Sequence, residues 1–408
     1  MKVKQVAVLF VGAFMAVFAR SSGFGLYEAS VESYALGGCV MGRAVDASAN
    51  FFNPATLTDL TNVTVTMGFL TEHPRGRIKV GSLASCGMDP GAFWLPHFQL
   101  AMPLPWNLAL GLGLMPEYGL GSEYDDDWSL ANNSLKTTVM SFTLNPNLAW
   151  RITRDLSVGL GMRFLYFDFE QHSNPFVPAL GSSFSNRLKG NNGMRDFGYQ
   201  VGIKYEVTES FSVGATWKSW TLVHVKGRTS NDASDPLSAA MAKAASGGAE
   251  TELELPQSVT FGCNWEVAPS VRLGGSVAWT QWSSVDVLGF DLARQRRDVV
   301  LEWVDTLRAG VAAGWDFADD WTMMGSYVYE TDCCGDQEST MLPAADRHML
   351  SVGLTWHCCR WLDVSAGYGM IIMDGKDTQA RDATGALASY RASRGLSHAA
   401  GLSLTFRF

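Results

Sequence analysis

Charge is scarce in this chain: Asp, Glu, Lys and Arg make up only 17% of its 408 residues, and no block of like charge interrupts it. The formal net charge of −9 argues against nucleic acid as a partner, since binding a phosphate backbone needs a basic surface. Past Ala19 there is no long apolar run, and a spanning helix needs ~20 such residues. The sequence has no C-x-x-C, no G-x-S-x-G and no H-E-x-x-H. The usual redox, hydrolase and metalloprotease signatures are therefore missing. No catalytic residue, metal site or cofactor is expected. Seven cysteines, at 39, 86, 263, 333, 334, 358 and 359, form an odd set with two vicinal pairs. A single surface disulfide and free thiols both stay open.

What is present begins with "MKVKQVAVLFVGAFMAVFARSSGFGL". Two lysines, an apolar core from Val6 to Ala19 and small residues are the three regions of a secretory signal peptide. Ala19 and Ser21 suit the positions before the cut, giving a signal peptide over 1–21 and Ser22 as the first mature residue. The alternative is an uncleaved anchor, for which the apolar run is short.

From about Asn62 onward one pattern recurs: roughly ten residues alternating apolar with small or polar, then a turn. In the last segment Ala400, Leu402, Leu404, Phe406 and Phe408 share one face, and Ala399, Gly401, Ser403, Thr405 and Arg407 the other. In "SVGLGMRFLYFDFE" Val158, Leu160, Met162, Phe164 and Tyr166 oppose Ser157, Gly159, Gly161 and Arg163. Repeated along the chain, this gives about fourteen strands. They exceed the ~5–6 residues usual in soluble sheets. Trp150, Trp217, Trp265, Trp315, Trp321 and Trp356 cluster near strand ends, as interfacial girdles do. Only a closed barrel leaves no backbone group unpaired in hydrocarbon. The expected fold is all-β: a transmembrane antiparallel barrel over 61–408 in the outer membrane of a double-membraned bacterium. An even strand count puts both barrel ends in the periplasm. "NWEVAPSVRL" and "WDFADDWTM" read as tight periplasmic turns, and 171–192 and 228–256 as long outer loops, the second holding a helix-compatible "PLSAAMAKAASGG".

Residues 22–60 lack alternation, yet carry Phe24, Leu26, Tyr27, Tyr34, Leu36, Phe51, Phe52 and Leu57. A segment so apolar does not lie free in water. Its economical place is inside the barrel, as a hatch. Pro54 fixes its own φ and holds Asn53 extended, so Asn53-Pro54-Ala55 would set a rigid corner where hatch meets wall. An ordinary turn into the first strand is the alternative.

The stretch "SGFGLYEASVESYALGGCVMGRAVDASANFFNPATL" resembles the N-terminal hatch of the FadL-type outer-membrane long-chain fatty-acid transporters. The likeness continues in "EYGLGSEYDDDW", "LNPNLAWRITRDLSVGLGMRFLY", "LPQSVTFGCNWEV", "DTLRAGVAAGWDFADDWTM" and "PAADRHMLSVGLTW". The resemblance implies a fourteen-stranded barrel plugged by its N-terminus. Outer loops would capture a hydrophobic ligand, an internal pocket beside Phe24 and Leu26 would hold it, and it would leave sideways at a kinked third strand. In that scheme Asn53, Pro54 and Ala55 face the gap. Pro116, which cannot donate a ladder hydrogen bond, would cause it, with Tyr118 and Gly119 alongside. A strand that simply ends at Pro116 is the plainer reading.

For the ligand itself, Leu165, Phe167 and Phe169 in the fifth strand, and Ile371 and Met373 in the thirteenth, are apolar at inward positions. They suggest an oily pocket, with Arg163 one step below to meet an anionic head group. Packing against the hatch would use the same residues. The basic residues that meet the carboxylate in the resembling family would fall near Asp168 and Val304, neither of which is basic. Arg308 in "DTLRAG" does match and should point inward, where pairing with Asp305 or a hatch carboxylate competes with ligand binding. The expected partners are hydrophobic small molecules, outer-membrane lipid and the barrel assembly machinery, with the protein a monomer. Aromatic hydrocarbons are the rival substrate class, and a structural or adhesive surface barrel is the rival function.

Overall fold

The computed structural model describes residues 23–408 apart from positions 83, 126–127, 129, 132–133, 175, 178–181, 184, 234–238, 241, 244–245, 293–294, 335–336, 339–343 and 382–386. The expected signal peptide at 1–21 and much of the helix-compatible piece at 236–248 lie outside the described residues.

Strands β1 (Thr64–Val80), β2 (Phe93–Leu104) and β3 (Leu108–Met115, continuing as Gly119–Glu123) lead into β4 (Lys136–Arg151) and β5 (Leu156–Ser173). Next come β6 (Asp196–Thr208), β7 (Phe211–Lys218), β8 (Ser258–Ala268), β9 (Val271–Thr280) and β10 (Thr306–Ala318). The last four are β11 (Trp321–Glu330), β12 (Arg347–Cys359), β13 (Leu362–Met373) and β14 (Gly395–Arg407). Successive strands pair antiparallel, and β14 returns to β1, with Thr64 opposite Arg407 and Arg75 opposite Leu396. The result is a closed barrel of fourteen strands, as the period-two alternation requires.

The alternation sorts the two faces. Leu160, Phe261 and Leu402 point outward at 60%, 61% and 51% exposure, while Gly159, Arg163, Ser403 and Thr405 are buried inside. Apolar exposure repeated on every strand far exceeds what a soluble monomer tolerates, and lipid is the solvent that suits it. Trp150, Trp265, Trp315, Trp356 and Trp361 ring the short-turn end, each about half exposed. There the ladder slips by one residue at Glu206/Thr208, Glu266/Ala268, Asp316/Ala318 and His357/Cys359. An inserted residue raises local twist and carries each strand into its tight turn. At the opposite end strands lengthen into hairpins. Ser185–Asn191 pairs with β5 and with Thr221–Asp232, and Leu387–Ala392 pairs with Lys376–Arg381 and the upper part of β1.

Residues 23–60 lie within the bore. Ser30 caps a short helix, Val31–Ala35, by accepting from the Ser33 N–H. A second turn, Ala49–Phe52, runs through Asn53 into a 3-10 helix, Pro54–Asp59. Pro54 occupies the first helical position, where a missing N–H costs nothing. Asn53 does three things: its Oδ1 accepts from the Ala55 N–H at 3.1 Å, and its Nδ2 donates to Met41 O at 2.7 Å and to Ile203 O of β6 at 3.0 Å. The corner thereby joins the hatch to itself and to the wall. It sits in a dent cut by glycines: a Cβ on Gly159 would lie 2.5 Å from the Ala55 nitrogen, and one on Gly202 would strike Asn53.

Carboxylates reinforce this docking. Glu32 accepts from the Ser365 hydroxyl at 2.8 Å. Burial, aided by Asp46 beside Glu32 and Glu72 beside Glu28, pushes both glutamates up to about 7. Burial also raises Asp46.

Candidate functional site

The wall is incomplete at β3. Strand β2 pairs with it from Leu104 opposite Leu108 to Phe98 opposite Leu114 and no further. On the other side β4 pairs as far as Met115 opposite Thr143 and resumes with Gly119 opposite Met140. Four steps along β3 thus match three along β4, so one residue bulges at Pro116-Glu117-Tyr118. Proline has no N–H to give the ladder, and the bulge turns the continuing segment away from β2. Residues 93–97 keep their pairing with β1 but, among the described residues, have no ladder partner across the slot. The hatch supplies the missing bonds: Leu26 N–H donates to Glu117 O, and Gly119 N–H to Phe24 O, both at 2.9 Å. Above, a bridge between Met88 and Tyr124 closes the slot.

An ion cluster holds the kink inward. The Glu117 carboxylate, 5% exposed, receives Arg163 Nη2 at 2.9 Å and Nε at 3.1 Å, Lys218 Nζ at 3.3 Å and Thr143 Oγ1 at 2.8 Å. Arg163 also donates to Ser219 O and the Tyr118 hydroxyl. Lys218 lies 3.1 Å above the ring of Phe51, a cation–π contact tying β7 to the hatch.

Above this cluster the lumen is oily. Leu165, Phe167 and Phe169 point inward, buried with Phe24, Tyr118, Trp282, Trp303 and Phe290. Phe24 is the hub, its ring 5.0 Å from Trp282, 5.9 Å from Tyr118 and 6.0 Å from Trp303. Gly23 has to be glycine, since a Cβ there would lie 2.6 Å from the Trp282 ring. A cavity of about 120 Å³ links this cluster to the slot between Leu95, Phe93 and Leu120, with Ile371 and Met373 on its inner wall. Below the hatch the lumen changes character. A vestibule of about 920 Å³ is lined by Glu32, Arg43, Asp59, Lys204, Glu266 and Arg272, among others.

Residues 12–408 match the model of a family described as outer membrane protein transport protein (OMPP1/FadL/TodX). The chain belongs to this family. It is therefore an outer-membrane barrel that transports hydrophobic compounds, a channel and not an enzyme. Among FadL-family relatives it is similar to the long-chain fatty acid transport protein of Escherichia coli O6:H1, 24% identical over 96% of this chain and 95% of that one. It is also similar to outer membrane protein P1 of Haemophilus influenzae, 24% identical over 72% of this chain and 69% of that one. Its fold matches a Pseudomonas aeruginosa FadL homologue with a TM-score of 0.83 at 18% identity, covering 95% of this chain and all (100%) of the other. The Pseudomonas putida toluene transporter TodX gives 0.73 at 16% identity, covering 95% and 99%.

Against this FadL-type frame the sequence-derived residues separate into groups. Phe24, Leu26, Tyr118, Gly119, Leu165, Phe167, Ile371 and Met373 gather around the slot and the oily cluster. Pro116 marks the bulge itself. Asn53, Pro54 and Ala55 lie elsewhere. Their neighbour Gly159 is level with Ala149 and Ala109, six residues along β3 below Met115. The hatch residues at the gap are Phe24, Gly25 and Leu26 instead, because the segment 23–26 is the one that pairs with the kink. Arg163, expected to meet a ligand's head group, has Glu117 filling its fork. Arg308 points inward as expected, but its carboxylate neighbour is Glu330 at 4.0 Å, and it covers the Tyr27 ring at 4.1 Å. Sequence reading passed over Glu117, Trp282, Trp303 and Arg347. The first follows a proline in a strand expected to break, and Trp303 sits in a segment with no periodicity, so neither carried a positional signal.

Proposed function

We propose that the protein carries long-chain fatty acids from outer loops, through the oily cluster around Phe24, and out sideways through the slot between β2 and β3. The observation that carries this reading is the contrast along the lumen. Apolar side chains predominate from Phe290 and Phe169 to the slot, where Glu72 and Arg347 stand at the edge, whereas the vestibule below is lined with charge. An acyl chain loses about 0.8 kcal/mol for each CH₂ returned to water, so the lateral route is favoured over the downward one. Arg347 borders the slot cavity together with Glu72, and its Nη2 donates to Gly23 O at 2.7 Å. It is the basic group best placed for a carboxylate, in place of the head-group residues that this sequence lacks. The slot cavity holds roughly four water-sized groups, at ~30 Å³ each. A long chain therefore enters only when Phe24 and its segment shift.

The test is Gly121→Leu, which fills the slot because a Cβ there meets the Phe93 ring. Uptake of oleate into cells should fall at least tenfold while the purified barrel still binds it. Unchanged uptake removes the lateral route. Aromatic hydrocarbons are the second reading, favoured by the edge-on box of Phe24, Trp282 and Trp303. Toluene that displaces bound oleate at equal concentration would make it the better one.

A further inference from the structure

The outward face of β1 changes along its length. Val65, Met67 and Phe69 look toward lipid, Thr71 and His73 follow, and Arg75, Arg77 and Lys79 continue the same face, all three exposed. On the inner face of this upper segment Ile78 and Val80 are buried against Tyr390, Tyr124 and Trp128. The cations are therefore held outward by a packed core rather than carried on a loose loop. Arg391 and Arg394 extend the row from the adjoining hairpin, at 72% and 74% side-chain exposure.

Three acids face this row. Asp89 pairs with Arg75 at 3.0 Å and with His73, Asp377 pairs with Arg391 at 2.6 Å, and Asp374 lies 3.7 Å from Arg394. Among the described residues no carboxylate lies within ion-pair distance of Arg77 or Lys79. Moreover, Lys79 stands directly opposite Arg391 in the ladder, and like charges so placed oppose pairing. Among the described residues, five cations against three acids leave a local positive surplus on a chain whose net charge is −9. An anion bound between Lys79 and Arg391 would relieve the repulsion.

The height of the row places the anion in the head-group layer of the membrane. A strand rises ~3.4 Å per residue and tilts by ~40° in such barrels. Arg75 to Lys79 then stand roughly 10 to 20 Å above Thr71, where the lipid-facing side chains give way to polar ones. Tyr368 with His398, and Tyr327 with His348, form hydrogen-bonded pairs at the rim just below. We infer that the row Arg75, Arg77, Lys79 and Arg391 docks the phosphorylated head group of a glycolipid in the outer leaflet. Such a head group is polyanionic, and it occupies the layer directly over the acyl chains. The arginine and lysine stems can bend toward it while their charges stay in the polar layer.

The test uses the full-length protein extracted from its own outer membrane. Wild type, Arg77→Gln/Lys79→Gln and Arg195→Gln, which removes an exposed cation elsewhere, are compared by native mass spectrometry for retained phosphorylated glycolipid. Each cation near an anionic surface contributes roughly fivefold, so the double variant should hold it about thirtyfold more weakly. Arg195→Gln should match wild type, as should oleate binding in all three. In nanodiscs, dephosphorylated glycolipid should bind no better to wild type than to the double variant, and millimolar inorganic phosphate should not displace the intact lipid. Equal retention by wild type and double variant overturns the inference. So does an equal loss in Arg195→Gln, or displacement by inorganic phosphate, which would mark a site for a small free anion.

Discussion

Replacing Glu117 with glutamine keeps the shape of the kink residue and deletes its charge. In the wild type that charge faces two cations, Arg163 at 3% and Lys218 at 13% side-chain exposure. The substitution leaves both without their shared counter-ion in the buried middle of the barrel. Removing one member of a buried ion pair typically costs about 3–5 kcal/mol, and the mutual repulsion of the remaining cations adds to it. The Thr143 hydrogen bond survives in form, because an amide oxygen still accepts. Urea unfolding of the detergent-solubilised barrel, followed by its heat-modifiable gel mobility, should therefore show a loss near the upper part of that range. Hydrogen exchange at Tyr118 and Gly119 should accelerate more than exchange in β10 or β11. A second change, Glu117→Gln with Arg163→Met, removes one orphaned charge and should recover about half the loss. A Glu117→Gln barrel within about 1 kcal/mol of wild type would refute the idea that the cluster holds the kink.

The remaining predictions concern the hatch. Gly202→Val drives a side chain into Asn53 and Pro54, and limited proteolysis should then cut within 23–60 at least tenfold faster while the barrel stays folded. Pro54→Gly releases the fixed φ of the corner and should lower oleate uptake with little change in barrel stability. Glu28 and Glu32 both sit higher in the docked hatch, at about 7, than when exposed. Each binds its proton more tightly when docked, so their contribution is fully present below about 4.5 and lost as pH rises to about 7. Hydrogen exchange over 23–60 should accordingly be slower at pH 5 than at pH 8, after correction for the intrinsic pH dependence of exchange. Equal protection at the two values would contradict this assignment.

The barrel was legible because lipid imposes a strict rule: each strand must alternate, and a one-residue error would send Arg163 into hydrocarbon. Fourteen runs could be counted from that rule alone. The oily character of Leu165, Phe167 and Phe169 followed from the same parity. Partners across the bore were not legible, since period-two patterning says which way a side chain points and nothing about what it meets. Arg163 illustrates the limit. Its inward direction was clear, but its partner Glu117 comes from a bulge, and a bulge shifts the parity of the residues after it. Likewise Asn53-Pro54-Ala55 was recognisable as a rigid corner, while its depth in the barrel depends on Gly159 and Gly202, far away in sequence.

Under the lateral route proposed above, these features combine into a physical sorting device. A pore running straight through would have to be narrow and oily to carry acyl chains, and any such pore would release them into water at its lower end. Here the hatch blocks that end with a polar, hydrogen-bonded stopper, and the charged vestibule beneath makes release there unfavourable. The proline-induced bulge in β3 places an opening in the wall, where the surrounding medium is hydrocarbon. A solute then gains nothing by desolvation at the exit unless it is itself apolar. Small polar molecules that enter the vestibule meet the hydrogen-bonded corner at Asn53 in its glycine-lined seat. On this account selectivity resides less in a tailored binding pocket than in which solvent waits at each opening.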